Sequence, residues 1–317
     1  MDISQTVAVT GATGFVGKTL VQQLLAAGHK VRALSRKAGG CRPHRNLLEI
    51  NGSLEDREAL ARLVTGSDSL VHLAAAIAGR NRHDFVRVNA AGTRQLVETM
   101  EQVNAGCRLI HVSSLAARAP QLSDYARSKH LAEQVVQSSH LTWIIVRPPA
   151  VYGPHDPALA ALWRALARGW LIQTGSDQAR FSLLHVDDLC AAVAELIRQP
   201  WPSGRTLWLD DGRQDGYAWK DLADLAARRR DRQIRTLKLS RRLLALIATV
   251  NQLAGRATGR VPLLNPGKVR ELTHPDWVCG NNVAQIIPDW RPEQQLERAL
   301  GQLPGWSQLL DGRARTG

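Results

Sequence analysis

A tyrosine and a lysine stand four residues apart in "YARSK", Tyr125 to Lys129, just after a run containing the two serines Ser113 and Ser114. A phenol titrates near pH 10 and is by itself a poor acid or base at neutral pH. An ammonium held beside it favours the phenolate and makes the pair usable for proton transfer. On a helix, residues i and i+4 share one face, about one turn apart. Pairs at this spacing also occur on ordinary exposed helices, so the surrounding chain has to supply the rest of the case.

The elements that must position the pair are legible in the first half of the chain. "TVAVTG" (6–11), "KVRALSR" (30–36), "SLVHLAA" (69–75), "CRLIHVSS" (107–114) and "LTWIIVRPP" (141–149) read as short apolar strands. Between them, "KTLVQQLLAAG" (18–28), "LEDREALARLVTGS" (54–67), "DFVRVNAAGTRQLVETMEQVNA" (84–105) and "SDYARSKHLAEQVVQSS" (123–139) have helical periodicity. The last of these, opened by a Ser or Asp cap, carries Tyr125 and Lys129. Strands alternating with helices of ten or more residues mean βαβ units and a parallel sheet. The fold class read from this is α/β, a doubly wound parallel sheet of Rossmann type with a smaller carboxyl-terminal substrate lobe. The dinucleotide-binding domain is expected over 1–150, with returning segments near 181–210, and the lobe over 151–317. Eight of the nine tryptophans, all but Trp143, lie beyond residue 150, where the alternation loosens. The last seven residues, "DGRARTG", are expected to fray.

Composition narrows the function classes. With 44% hydrophobic and 22% charged residues over 317 positions, the chain is globular rather than disordered. The first residues, "MDISQTVAVTG", lack the basic and apolar regions of a secretory signal. The apolar run "LLALIATV" (243–250) is far shorter than the roughly 20 residues a spanning helix needs. Four scattered cysteines form no CxxC pair, so neither a zinc site nor a disulfide framework is expected, and no metal is assigned. A cytoplasmic location follows as the expectation. The net charge of +13 fits anionic partners in general, peripheral contact with an anionic membrane included, but no nucleic-acid motif accompanies it.

"TGATGFVG" sets Gly11, Gly14 and Gly17 between the first strand and the first helix. Glycines there let the backbone turn tightly and approach a pyrophosphate at a helix amino terminus, where free N–H groups favour anions. The second strand then selects the dinucleotide. NAD enzymes usually end that strand with an acid that grips the ribose 2′-hydroxyl. Here it ends "ALSRK", with Arg36 and Lys37 in place of the acid. A guanidinium binds a 2′-phosphate that a carboxylate would repel. The reading is NADP in preference to NAD.

Taken together, "TGATGFVG", "SS" at 113–114, "YARSK", "RPPAVYGP" and "HVDDLCAA" resemble the extended short-chain dehydrogenase/reductases, also called the NAD(P)-dependent epimerase/dehydratase-like superfamily. The resemblance runs from residue 6 to about 200 and returns in "DWRPEQQLERAL". It implies that Tyr125 is the acid or base, that Lys129 supports it and the nicotinamide ribose, and that Ser114 holds the reacting oxygen. It implies cofactor contacts at Gly11, Thr13, Gly14, Phe15, Val16, Gly17, Ala74, Ala75 and Asn89, and at Pro148 and Val151 beside the carboxamide. His185 and Asp187 match a structural corner of the family. Two departures stand out. Where the family often has an Asp for the adenine amine, this chain has Ser53, followed by Leu54 against the ring. Sugar-nucleotide members usually read "RxxNVYGP"; Ala150 stands at the asparagine position and offers no donor or acceptor.

The substrate is a small molecule expected against Tyr152, Arg180, Phe181 and an apolar wall from the leucine-rich stretch, Leu246 and Ile247 above all. The function expected is an NADP-dependent oxidoreductase interconverting a ketone and a secondary alcohol on a bulky, partly apolar substrate. A nucleotide-sugar epimerase or dehydratase and a non-catalytic dinucleotide-binding subunit are the alternatives. Dimers through the two long helices (86–104 and 123–139) are common in the family, so a homodimer is expected. The cofactor reading has a direct check. NADP(H) should bind more tightly than NAD(H) through Arg36, helped by Lys37 or Arg32, by about ten- to a hundredfold. Titrating both cofactors against wild type and Arg36→Ala should show that advantage and its loss; equal affinities in the wild type would remove it.

Overall fold

The computed structural model describes residues 4–258 and 264–306. The residues expected to fray lie outside this range. The chain divides into two compact units. The first runs to Pro148 and takes in Leu189–Trp208 and Asn282–Trp290; the second comprises Pro149–Asp188, Leu209–Asn281 and the described chain from Arg291.

The first unit is built on seven parallel strands: β1 (Thr6–Thr10), β2 (Lys30–Ser35), β3 (Leu47–Asn51), β4 (Ser69–His72), β5 (Arg108–Val112), β6 (Trp143–Arg147) and, after four strands of the other unit, β11 (Arg205–Trp208). Their order is β11-β6-β5-β4-β1-β2-β3. Strands covered on both faces read as continuous apolar runs, and all four residues of β4 are buried. The edge strand β3 was not foreseen. It alternates, with Leu48 and Glu49 not buried and Ile50 inside, so no unbroken apolar run marks it.

Helices follow most strands: α1 (Phe15–Ala26), α2 (Arg57–Val64), α3 (Arg82–Phe85), α4 (Gly92–Val103) and α5 (Asp124–Gln137). Asp56 caps α2 by accepting from the Ala59 N–H at 3.0 Å, and Ser123 caps α5 by accepting from the Ala126 N–H at 2.9 Å. A wide π turn, Val86–Ala91, joins α3 to α4. Leu60 and Leu63 of α2 and Leu96 and Met100 of α4 are buried in one cluster with Ala8, Leu70 and Leu109 of the sheet. The strand order turns back between β1 and β4, and open α/β sheets bind ligands outside the carboxyl ends at that point.

The second unit holds β7 (Ala150–Tyr152), β8 (Trp170–Thr174), β9 (Arg180–Phe181), β10 (Leu183–His185), β12 (Tyr217–Ala218), β13 (Arg235–Leu239) and β14 (Asp276–Trp277). They pair as β7–β10, β8–β13 and β12–β9–β14. Its helices are α6 (Ala160–Ala167), α8 (Trp219–Arg230), α9 (Arg241–Thr258), α10 (Pro266–Leu272) and α11 (Leu296–Ala299), while α7 (Val186–Arg198) runs from this unit into the first. Tyr152, Trp163, Leu222, Leu296 and Trp306 are among its buried core.

The glycine loop is fixed by lack of space. Gly11 has φ +72°, and a Cβ there would lie 2.7 Å from the Ala74 nitrogen. A Cβ on Gly17 would lie 2.8 Å from the Ala12 Cα and closer still to the Gly11 carbonyl oxygen. Gly17→Ala should therefore shift backbone and cost about 1–3 kcal/mol, as overpacking does. Gly28→Ala, at φ +84° but with open space around it, should cost only the backbone strain of about 1–2 kcal/mol. Urea titration measures both; a Gly17→Ala midpoint equal to wild type would contradict the packing described.

Candidate active site

The carboxyl ends of β1, β4 and β5 carry a row of polar residues in register: Thr10 pairs with His72, and His72 with His111. All three are buried, and each is the last or next-to-last residue of its strand. A polar residue ending an apolar strand is the one signal in the sequence that marks this row, and it was passed over.

The hydrogen bonds of the row have only one consistent direction. Thr93 donates its hydroxyl to the Asn89 carbonyl at 2.6 Å, so at 2.9 Å it can only accept from His72 Nε2. His72 is held neutral: burial, helped by the Lys129 charge, pushes its pKa down to about 3. Its Nδ1 must then accept from the Thr10 hydroxyl at 2.7 Å, and that oxygen accepts from the Ala74 N–H at 3.3 Å. His111 lies with its ring centroid 5.2 Å from that of His72. Burial first, and then the charge of Lys129, hold it neutral as well.

Asn89, carried on the π turn, acts as a strut. It accepts from the Ala76 N–H at 2.6 Å and donates to the Ala76 carbonyl at 3.0 Å and to Ser128 Oγ at 2.8 Å. Ser128 in turn donates to the Tyr125 carbonyl at 2.7 Å. The chain from β1 to the tyrosine backbone is thus continuous. It also fixes the segment after β4, where Ala74 and Ala75 are half-buried.

Tyr125 sits in the first turn of α5, half-buried, with the Phe85 ring meeting it edge-on at 6.3 Å. Lys129 lies one turn further on and is buried; its Nζ donates to the Val112 carbonyl at 3.0 Å. Desolvation brings its pKa down to about 8, with Glu133 opposing. Glu133 is paired with Arg147, Nε to Oε1 at 2.8 Å, and the Arg147 guanidinium lies over the Trp208 ring at 4.7 Å. Ser114 is half-buried and caps the turn Leu115–Arg118, accepting from the Ala116 N–H at 3.2 Å. Leu115 N–H donates to the Pro148 carbonyl at 2.8 Å, which fixes Pro148 beside that turn.

The glycine loop fits a dinucleotide. Gly14 is the N-cap of α1, no side chain caps that end, and its first turn carries no acid. Its leading N–H groups, in the stretch with Thr13, Phe15 and Val16, are therefore available to a pyrophosphate. Arg36 and Lys37 are exposed just beyond β2, and Ser35 Oγ holds that bend by donating to the Lys37 carbonyl at 2.7 Å. Arg32, expected to help them, does not: it donates to the Arg62 carbonyl at 3.0 Å and to that of Thr65 at the end of α2. Ser53 accepts from the Glu55 N–H at 3.2 Å, and Leu54 packs on Gly92 within the core.

The expected substrate residues have different surroundings. Tyr152 is wholly buried, with Trp163 and His185 rings at 5.9 and 5.1 Å, so it has no face left for a ligand. Phe181 is half-buried against Trp219 at 5.1 Å, and Arg180 lies 3.7 Å from Asp221. Leu246 and Ile247 are 63% and 43% exposed, because α9 packs through Leu244 and Ala248 instead. Val151 is half-buried on β7. A recess of about 410 Å³ in this unit is lined by charges, among them Arg213, Asp221, Arg228 and Glu297, and is not the expected apolar pocket.

The sequence model of the NAD dependent epimerase/dehydratase family matches residues 7–206, and the chain belongs to that family. It is 36% identical over 279 residues to a ceramide reductase of Caulobacter vibrioides, covering 87% of this chain and 86% of that one. It is 30% identical over 232 residues to a farnesyl-dihydroquinoline-oxide ketoreductase of Stigmatella aurantiaca, covering 64% and 67%. Among solved structures, gox2253 aligns with a TM-score of 0.73 at 22% identity over 97% of this chain and 99% of that one. MoeE5, solved with UDP-glucuronic acid and NAD, gives 0.71 at 19% over 97% and 100%, which establishes the fold. The protein is an NAD(P)-dependent oxidoreductase of the extended short-chain dehydrogenase/reductase type.

The buried ammonium has a measurable cost. Below pH 8 the folded chain keeps a charge that burial penalises; between pH 8 and 10.5 the unfolded chain binds the additional proton, so this contribution to stability rises with pH. Lys129→Met removes it and should stabilise the protein at neutral pH by on the order of 2 kcal/mol. Denaturant midpoints across pH should show the gap closing between pH 8 and 10.5; a gap independent of pH would refute the buried charge.

Proposed function

We propose that this enzyme interconverts a ketone and a secondary alcohol on a long-chain, ceramide-like lipid, with NADP(H) as its cofactor. The observation that carries the reading is the likeness to a ceramide reductase over 87% of the chain. The ketoreductase relative, named for a substrate that bears a farnesyl group, supports an apolar substrate. The exposed Arg36 and Lys37 at the end of β2 support the phosphorylated cofactor.

The protein groups have distinct tasks. A nicotinamide dinucleotide bound at the glycine loop supplies the hydride in the reducing direction. Tyr125 gives its hydroxyl proton to the carbonyl oxygen as that oxygen becomes an alcohol, and takes it back in the oxidising direction. Ser114, presented by the capped turn after β5, donates to the same oxygen while charge builds there. Lys129, anchored by the Val112 carbonyl, keeps a positive charge on the face of α5 that carries Tyr125. Asn89 and Ser128 hold the first turn of α5 in place through the Tyr125 carbonyl.

A nucleotide-sugar epimerase is the second reading, since MoeE5, of the same fold, was solved with UDP-glucuronic acid. Ala150, exposed at the start of β7, counts against it because a methyl group offers a sugar no hydrogen bond. The two readings separate on net turnover. NADPH should be consumed with long-chain ketones, a 3-keto ceramide included, and not with UDP-sugars. Tyr125→Phe removes one oxygen and keeps the ring, so NADPH binding should survive while the rate falls about 10²–10⁴-fold. Retention of more than about a tenth of the rate would remove Tyr125 from the chemistry.

A further inference from the structure

The helix α9 is apolar on two sides. Its packed side is narrow: Leu244 and Ala248 are buried in a small cluster with Val269 of α10. Its other side carries Leu243, Leu246, Ile247, Val250 and Leu253, each between 43% and 63% exposed. At about 100° per residue these five fall within an arc of about 120°, as wide as the stripe by which an amphipathic helix normally docks. Leu244 and Ala248 lie outside that arc. A continuous aliphatic stripe left in water marks a surface that something else covers.

The charge around the stripe says what covers it. No acidic residue occurs between Asp231 and Glu271, while nine basic residues do: Arg232, Arg235, Lys238, Arg241, Arg242, Arg256, Arg260, Lys268 and Arg270. Lys238 and Lys268 are paired with Asp177 and Glu271. Arg232, Arg241 and Arg242 are exposed, the last two on the first turn of α9 itself. A second copy of this basic segment would be repelled by such a one-signed rim. A sheet of phosphate headgroups above hydrocarbon matches both features. With 18 residues and no window apolar enough to span, the helix can lie along a membrane but not cross it.

We propose that α9 docks this unit on an anionic phospholipid surface, lying in the interface with Leu246, Val250 and Leu253 among the acyl chains and Arg242, which borders the stripe, at the headgroups. The inference rests on this surface alone and not on the identity of the substrate.

Sedimentation of the full-length protein with vesicles tests it. Vesicles of phosphatidylcholine with phosphatidylglycerol should carry the protein down, vesicles of phosphatidylcholine alone much less, and high salt should reduce the bound fraction. Arg242→Gln should weaken binding by about fivefold. Val250→Asp with Leu253→Asp should weaken it by about tenfold or more, with NADPH affinity and melting temperature unchanged, since both side chains already face water. Equal binding to neutral and anionic vesicles would overturn the electrostatic part. No binding to either would overturn the proposal, and so would a dimer that Val250→Asp dissociates while vesicles go unbound, because a second copy would then be the occupant.

Discussion

One charge out of reach of water organises the first unit: the ammonium of Lys129. Removing such a group from water costs several kcal/mol even after relaxation, and partners must offset it. The Val112 carbonyl takes one of its three protons. Glu133, one turn along α5, supplies the counter-charge but is shared with Arg147 on β6. Arg147 in turn rests on the Trp208 ring of β11. Three strands and a helix are therefore tied to a line of cation, anion and cation that carries one surplus positive charge. Burial first, and the nearby Lys129 charge second, keep His72 and His111 neutral.

Neutrality gives His72 a definite job. A protonated ring could only donate, and Thr10 would lose its acceptor. The neutral ring accepts at Nδ1 and donates at Nε2, so the order from Ala74 N–H to the Asn89 carbonyl is fixed. The segment that lines the crevice and the helix that bears Tyr125 are then parts of one polar network. Asn89, which grips Ala76 on one side and Ser128 on the other, is its junction. His111 has no hydrogen-bond partner on either ring nitrogen among the described residues. An unpaired buried polar group costs about 1–3 kcal/mol; a charged one would cost more, so that site too admits only the neutral ring.

The sheet and the glycine loop were legible because their determinants are local: apolar runs, glycines at a strand end, helix caps. Other parts depend on partners far apart in the chain. Nothing in "HVSS" or "SLVH" says that the two histidines stand side by side; the register of β4 on β5 does. The stretch "LLALIATV" is apolar throughout, and only tertiary packing decides that Leu244 turns inward while Leu246 and Ile247 do not. Tyr152, in a motif associated with the nicotinamide loop, is drawn into a core of Trp163, Leu171 and Tyr217. Arg32 was expected as a helper of Arg36, but the carbonyls closing α2, distant in sequence, engage its guanidinium.

The surplus charge also leaves the chain short of its full stability. Burial brings the Lys129 pKa down to about 8, so at neutral pH the folded chain bears a desolvation cost that the unfolded chain does not. Coupling of this kind is reciprocal: any ligand that held the proton on Lys129 would be held by that proton to the same extent. The arrangement trades stability for a site that carries positive charge before anything binds. His72, Thr93 and the Asn89 strut meanwhile hold the ends of β1 and β4 and the first turn of α5 in one hydrogen-bonded arrangement.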